Sequence, residues 1–166
     1  METGITVTRH EKAEVYREII PQIQSLIAGE SDWIANLANV SSALKYAFPD
    51  RISWVGFYLM RTGELVLGPF QGKPACVRIA SGRGVCGTAA KECRTIIVPD
   101  VRAYPGHIAC DPDSRSEIVV PMLRDGKLLG VLDLDSATEE SFDEVDSKHL
   151  NDIIERLVAV SAHPGK

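Results

Sequence analysis

The sequence predicts an α+β domain: a central, mostly antiparallel sheet of about six strands, flanked by helices at the N- and C-terminal ends of the chain. Three observations predict it. Long runs of helical periodicity lie at the two chain ends, in residues 11–47 and after Ser141. The stretch between them consists of short apolar runs rich in β-branched and aromatic residues, separated by turn residues. Some of these runs are joined by connections too short for anything but an antiparallel hairpin. The 166 residues fit one domain, 1–166, and a chain of that length buries roughly 70% of its unfolded surface.

Each element has its own signal. Val15, Ile19, Ile23 and Leu26 recur at helical spacing in residues 11–28, where Pro21 is expected to kink or split the helix. Residues 31–47 form a second helix, with Ser31 as N-cap and a stripe of Trp33, Leu37, Val40 and Leu44. The run 52–60 (ISWVGFYLM) reads as a buried strand, paired through Thr62-Gly63 with 64–68 (ELVLG). Residues 76–79 make a short strand, 82–92 a glycine-rich turn into a short helix, and 95–100 another strand. A long loop, 101–116, follows; loops of this length in a compact domain are often functional. Strands 117–123 and 127–135 are joined by Arg124-Asp125-Gly126. The last helix is expected to start at Ser141, which forms a capping box with Glu144.

Composition narrows the function. Hydrophobic residues make up 45% and charged residues 25%, and 23 acidic residues against 18 basic ones give a net charge of -5. Without a basic patch, nucleic acid and anionic membranes are poor partners. The N-terminus turns charged and amphipathic at once, and no apolar run is long enough to span a bilayer, so cytoplasmic residence is expected. The four cysteines, Cys76, Cys86, Cys93 and Cys110, contain no CxxC pair or zinc-finger spacing, and no bound metal is expected. In a reducing compartment their disulfides would be transient and chemical.

Three clusters call for more than packing. Asp133 and Asp135 in GVLDLD share one strand face, about 6 to 7 Å apart, while Leu132 and Leu134 take the core face. They form either a solvated outer face or a paired-carboxylate site in which repulsion keeps one carboxyl protonated. Trp54, Gly56 and Tyr58 also share a face. Gly56 either opens a slot between two rings or admits a core side chain. Cys110 sits in a polar loop, HIACDPDSRSE, where His107 and Arg115 would favour a thiolate if they lie close. His107-x-x-Cys110 could alternatively be half of a metal site. Cys86, in GRGVCGTA, lies beside glycines at a helix start, where free N–H groups lower a thiol's pKa or cradle a phosphate. Cys93 reads as structural.

Together the segments SDWIANLANVSSALK, WVGFYL, ELVLGPFQGKPAC, GRGVCGTA, VPDV, GHIAC, SRSEIVVP and GVLDLDS, which cover most of residues 31–136, resemble the free methionine-R-sulfoxide reductases, a branch of the GAF-domain fold. The resemblance implies a single GAF-like catalytic domain that reduces free methionine-R-sulfoxide without metal or organic cofactor. It implies Cys110 as the attacking thiolate, Cys86 as the resolving thiol that closes a Cys86–Cys110 disulfide, and Cys76 as an alternative or recycling thiol. Trp54 and Tyr58 become the aromatic wall of the substrate pocket, and Glu117, Asp133 and Asp135 its carboxylates, one of them the acid that protonates the sulfoxide oxygen. Asp100 is a further acidic pocket residue. Thioredoxin is the implied reductant, and assembly as a homodimer is compatible with the sequence but not decided by it. The alternative is a GAF module that senses a small ligand or redox state without turnover.

Overall fold

In a computed structural model that describes residues 4–162, six strands form a single sheet. They are β1 (Trp54–Arg61), β2 (Glu64–Gln71), β3 (Arg78–Ala80), β4 (Ile96–Val98), β5 (Ser116–Arg124) and β6 (Lys127–Ser136). Their order is β3-β2-β1-β6-β5-β4, and every neighbouring pair is antiparallel. The helices among the described residues are α1 (Lys12–Ile27), α2 (Trp33–Ala47), α3 (Gly84–Glu92) and α4 (Glu144–Val160). None is long and apolar enough to cross a membrane. The expected α+β architecture is therefore present.

Strand alternation divides the interior into two layers. Val55, Phe57 and Leu59 of β1, Ile118, Val120 and Met122 of β5, and Leu132 and Leu134 of β6 face α1, α2 and α4 and form the larger core. The intervening residues, among them Trp54, Tyr58, Val119 and Val131, face the other way and pack with α3. Burying strand residues on both faces explains the near-continuous apolar runs that mark β1, β5 and β6 in the sequence.

The two central hairpins close as their turn residues require. Thr62 and Gly63 have φ of 49° and 88°, and Asp125 and Gly126 have 51° and 74°. Positive φ at both positions matches the right-handed twist of the paired strands. Expected helix starts differ by one to three residues. The N-cap of α2 is Asp32, which accepts from the Ala35 N–H at 2.8 Å, not Ser31. The capping box of α4 is Asp143 with Asp146, not Ser141 with Glu144. Aspartate and serine cap about equally well, so neighbouring candidates are not separated by type. Ser141 instead donates to Ser136 Oγ. Helix α1 runs through Pro21 without being split. Strand β3 starts at Arg78, later than expected, which leaves Cys76 on the β2–β3 connection.

Candidate active site

The sheet face turned toward α3 carries three carboxylates from two strands. Glu117 on β5 is the cross-strand partner of Asp135 on β6, and Asp133 lies two residues before Asp135. On the other side of β6, Trp54 stands opposite Asp135 and Gly56 opposite Asp133. Asp133 is 6% exposed and Asp135 half-buried, with Glu117 beside them 5% exposed, which removes the reading of a solvated outer face. Leu132 and Leu134 enter the larger core as the alternation requires.

Enclosure sets the protonation of this cluster. Burial pushes Glu117 well above the usual carboxylate range, and the nearby Asp135 charge adds to it. Burial does the same to Asp133, reinforced by Glu117. Asp135 is raised by burial and then by Asp133, with a Ser114 hydrogen bond acting in the opposite direction. Three acids crowded in one pocket disfavour one another's ionisation, so burial and mutual repulsion both favour the protonated forms. His107 Nε2 lies 3.3 Å from Glu117 Oε2. Burial lowers the His107 pKa. Burial thus works against charge on both groups and weakens this contact as an ion pair.

The aromatic wall stands where the strand pattern puts it, and Trp54 and Tyr58 both line the cavity. Gly56 works differently from the expected open slot. A Cβ there would lie 2.6 Å from Trp54 Cη2 and would collide with Phe70. The missing side chain lets the indole fold down over β1, where it stacks on Phe70 with ring centroids 5.4 Å apart. Trp54 Nε1 donates to the Lys73 carbonyl at 3.0 Å, and Tyr58 Oη donates to the Cys76 carbonyl at 3.0 Å. Both rings thus hold the β2–β3 connection over the cavity.

Cys110 is joined to Cys76 by a disulfide, with Cα atoms 5.6 Å apart. This corrects the expected Cys86–Cys110 bond. The reason is geometric. Cys76 and Cys110 lie on two loops whose residues Lys73, Pro74, Ala75, Cys110 and Asp111 line the cavity, and Lys73 ties those loops together. Its Nζ is 3.2 Å from Asp111 Oδ2 and 2.7 Å from Asp113 Oδ2. Cys86 is free and buried in the first turn of α3. Its sulfur lies 3.9 Å from Glu117 Oε1. Burial and the neighbouring Asp133 and Glu117 push its thiol up, overriding the lowering expected from the helix start. Cys86 and Cys110 do line the same cavity.

Two other expected neighbours are turned away. Arg115 pairs with Glu139 and, at 3.9 Å, with Asp100, so it does not flank Cys110. Asp100 caps the 3-10 turn Val101–Ala103 by accepting from the Arg102 N–H, and it does not line the cavity. Its acidic side chain is spent on local backbone and on Arg115, which corrects its assignment to the pocket. Cys93 ends α3 in the left-handed conformation and is exposed, outside the cavity.

About 40 Å³ of the cavity is open to the centre of a water molecule. Lys73, Ser114 and Ile108 line it and were not singled out from sequence. The available signal for Lys73 was its place in GKPAC, three residues before a loop cysteine. Among the described residues, the group able to hold a metal ion is Cys86, Glu117 and Asp133, whose ligand atoms all lie within 4.8 Å of one another. His107 and Cys110 do not form the half-site considered from spacing, since the Cys110 sulfur is bonded to Cys76 and His107 faces Glu117.

Residues 40–157 match the family model described as GAF domain. The GAF domain-containing protein A of Dictyostelium discoideum is 52% identical over 95% of this chain and 99% of its own length. A free methionine-R-sulfoxide reductase of Saccharomyces cerevisiae is 48% identical over 84% of this chain and 81% of its own. The crystal structure of the free methionine-R-sulfoxide reductase of Neisseria meningitidis in complex with its substrate superposes with a TM-score of 0.92 at 50% identity, over 95% of both chains.

Proposed function

Because the chain belongs to the GAF-domain family, and within it to the free methionine-R-sulfoxide reductases, we propose that it reduces free methionine-R-sulfoxide to methionine with its own thiols. The observation that carries this reading is an enclosed carboxylate cluster, in the same cavity as a loop cysteine already engaged in a disulfide.

The sulfoxide oxygen becomes a leaving group once Glu117, Asp133 or Asp135 protonates it. The Cys110 thiolate attacks the substrate sulfur and takes the oxygen as a sulfenic acid, and methionine departs. Cys76 condenses with that sulfenic acid, releasing water and closing the disulfide. The Cys76–Cys110 bond supports Cys76 as the resolving thiol. The aromatic wall of Trp54 and Tyr58 suits the methyl group and the partly positive sulfur. Carboxylates not engaged with the oxygen pair with the substrate ammonium, and backbone N–H groups of the Cys110 loop take its carboxylate. A peptide-bound methionine has neither charge and leaves those groups unpaired.

A dithiol protein of the thioredoxin type resets the enzyme by exchange at the half-buried disulfide. Cytoplasmic residence accords with this, since disulfides there are transient and chemical. Coupled oxidation of NADPH through thioredoxin, with free methionine sulfoxide as substrate, tests the reading. Turnover of the R form that disappears in Cys110→Ser is expected. Binding without turnover would instead identify a sensor, and equal turnover of free and peptidyl sulfoxide would refute the selectivity argument.

A further inference from the structure

The reaction written above makes no use of Cys86, although its thiol sits fully enclosed against two of the three carboxylates. We propose that Cys86, Glu117 and Asp133 form a binding site for a divalent cation of the zinc type, and that a cation bound there excludes the sulfoxide.

Four observations point to it. The three ligand atoms lie within 4.8 Å of one another. The Cys86 sulfur is 3.9 Å from Glu117 Oε1. In a tetrahedral site with Zn–S of about 2.3 Å and Zn–O of about 2.0 Å, ligand sulfur and oxygen are separated by roughly 3.5 Å. A shift of a few tenths of an ångström brings the sulfur and Glu117 Oε1 to that separation, and the remaining ligand separations, within 4.8 Å, close with a movement of up to about 1.5 Å. Asp133 lines the cavity, is 6% exposed, and has an Oδ1 with no hydrogen-bond partner, a group that costs free energy until something positive meets it. Finally, the second oxygen of Glu117 is held by His107 Nε2 at 3.3 Å, the outer contact that orients a ligating carboxylate.

One thiolate with two carboxylates is a borderline donor set, better matched to zinc than to magnesium or calcium. Three protein ligands leave the fourth position facing the cavity, as in open zinc sites. Binding displaces the ligand protons and fills the space assigned to the substrate. The exclusion of substrate rests on the proposed function; the cation site does not.

The experiment titrates the full-length enzyme, oxidised so that the Cys76–Cys110 bond is intact, with Co²⁺ as a spectroscopic substitute for Zn²⁺. A thiolate-to-cobalt charge-transfer band is expected in the wild type and in Cys93→Ser, and Zn²⁺ should erase it. It should vanish in Cys86→Ser and Cys86→Ala, with far-ultraviolet circular dichroism confirming that each variant is folded. Glu117→Gln and Asp133→Asn should each weaken Co²⁺ binding at least tenfold. No band in the wild type, a band that survives in both Cys86 variants, or one lost in Cys93→Ser would overturn the site. In turnover assays Zn²⁺ should raise the apparent KM and leave kcat unchanged. A band without such competition would count against the substrate assignment and leave the cation site standing.

Discussion

Reducing one bond should lower the melting temperature of this protein by several degrees, and the size of the drop follows from where the bond lies. Cys76 and Cys110 are 34 positions apart. Cross-linking a loop of that length removes about 12.6 cal/mol/K from the entropy of the unfolded chain, or about 3.8 kcal/mol at 25 °C, against typical measured values of about 2–4 kcal/mol. A chain of 166 residues unfolds with an entropy near 350 cal/mol/K, taking about 2.1 cal/mol/K per residue. The expected shift is then roughly 6–11 °C between oxidised and dithiothreitol-treated protein, measured by scanning calorimetry. Cys86→Ser should keep the shift, because its thiol is free. Cys76→Ser should abolish it. A reduction-sensitive shift that persists in Cys76→Ser and vanishes in Cys86→Ser, or a non-reducing peptide map that links residue 86 to residue 110, would refute the pairing.

Three further outcomes are expected. Glu117→Gln and Asp133→Asn remove proton donors from the cavity and should lower kcat by about 10²–10⁴-fold; sulfoxide turnover within threefold of wild type in both would remove these groups from the acid role. Glu117, Asp133 and Asp135 are all pushed up, so the native state holds protons that the unfolded chain has released. Stability must therefore fall as pH rises from the ordinary carboxylate range near about 4 through the native values. Urea unfolding across that window should show this fall, flattened in Asp133→Asn, and a rise that Asp133→Asn leaves unchanged would contradict the cluster. Gly56→Ala puts a methyl 2.6 Å from Trp54 Cη2 and should cost about 1–3 kcal/mol together with a raised KM for sulfoxide, read by calorimetry and steady-state kinetics; an unchanged KM would separate the indole from the binding wall.

The strands were legible because their two buried faces leave continuous apolar runs, and the shared face of Asp133 and Asp135 follows from a period of two that no tertiary contact alters. The cross-strand meeting of Glu117 with Asp135 depends on register, which the sequence does not state but the neighbouring apolar pattern restricts. The disulfide partner was not legible in the same way. Cys76 and Cys86 each stand near glycine-rich connections, and only the fold of two loops around Lys73 brings one of them to Cys110. Asp100 and Arg115 failed for a related reason. Charged side chains in loops reach several partners, and here they chose each other and Glu139 over the cavity. The helix caps missed by one to two residues at sites where serine and aspartate stand close together.

The placement of the groups also separates what moves from what stays. Glu117, Asp133 and Asp135 are anchored on the adjacent inner strands β5 and β6, whereas Cys76 and Cys110 hang from connections outside any strand or helix. Making and breaking the sulfur–sulfur bond therefore alters the covalent connectivity of the chain in every cycle without disturbing a single rung of the sheet. The acidic groups belong to the sheet and the sulfur–sulfur bond to its connections, so redox exchange can be repeated without the frame having to refold.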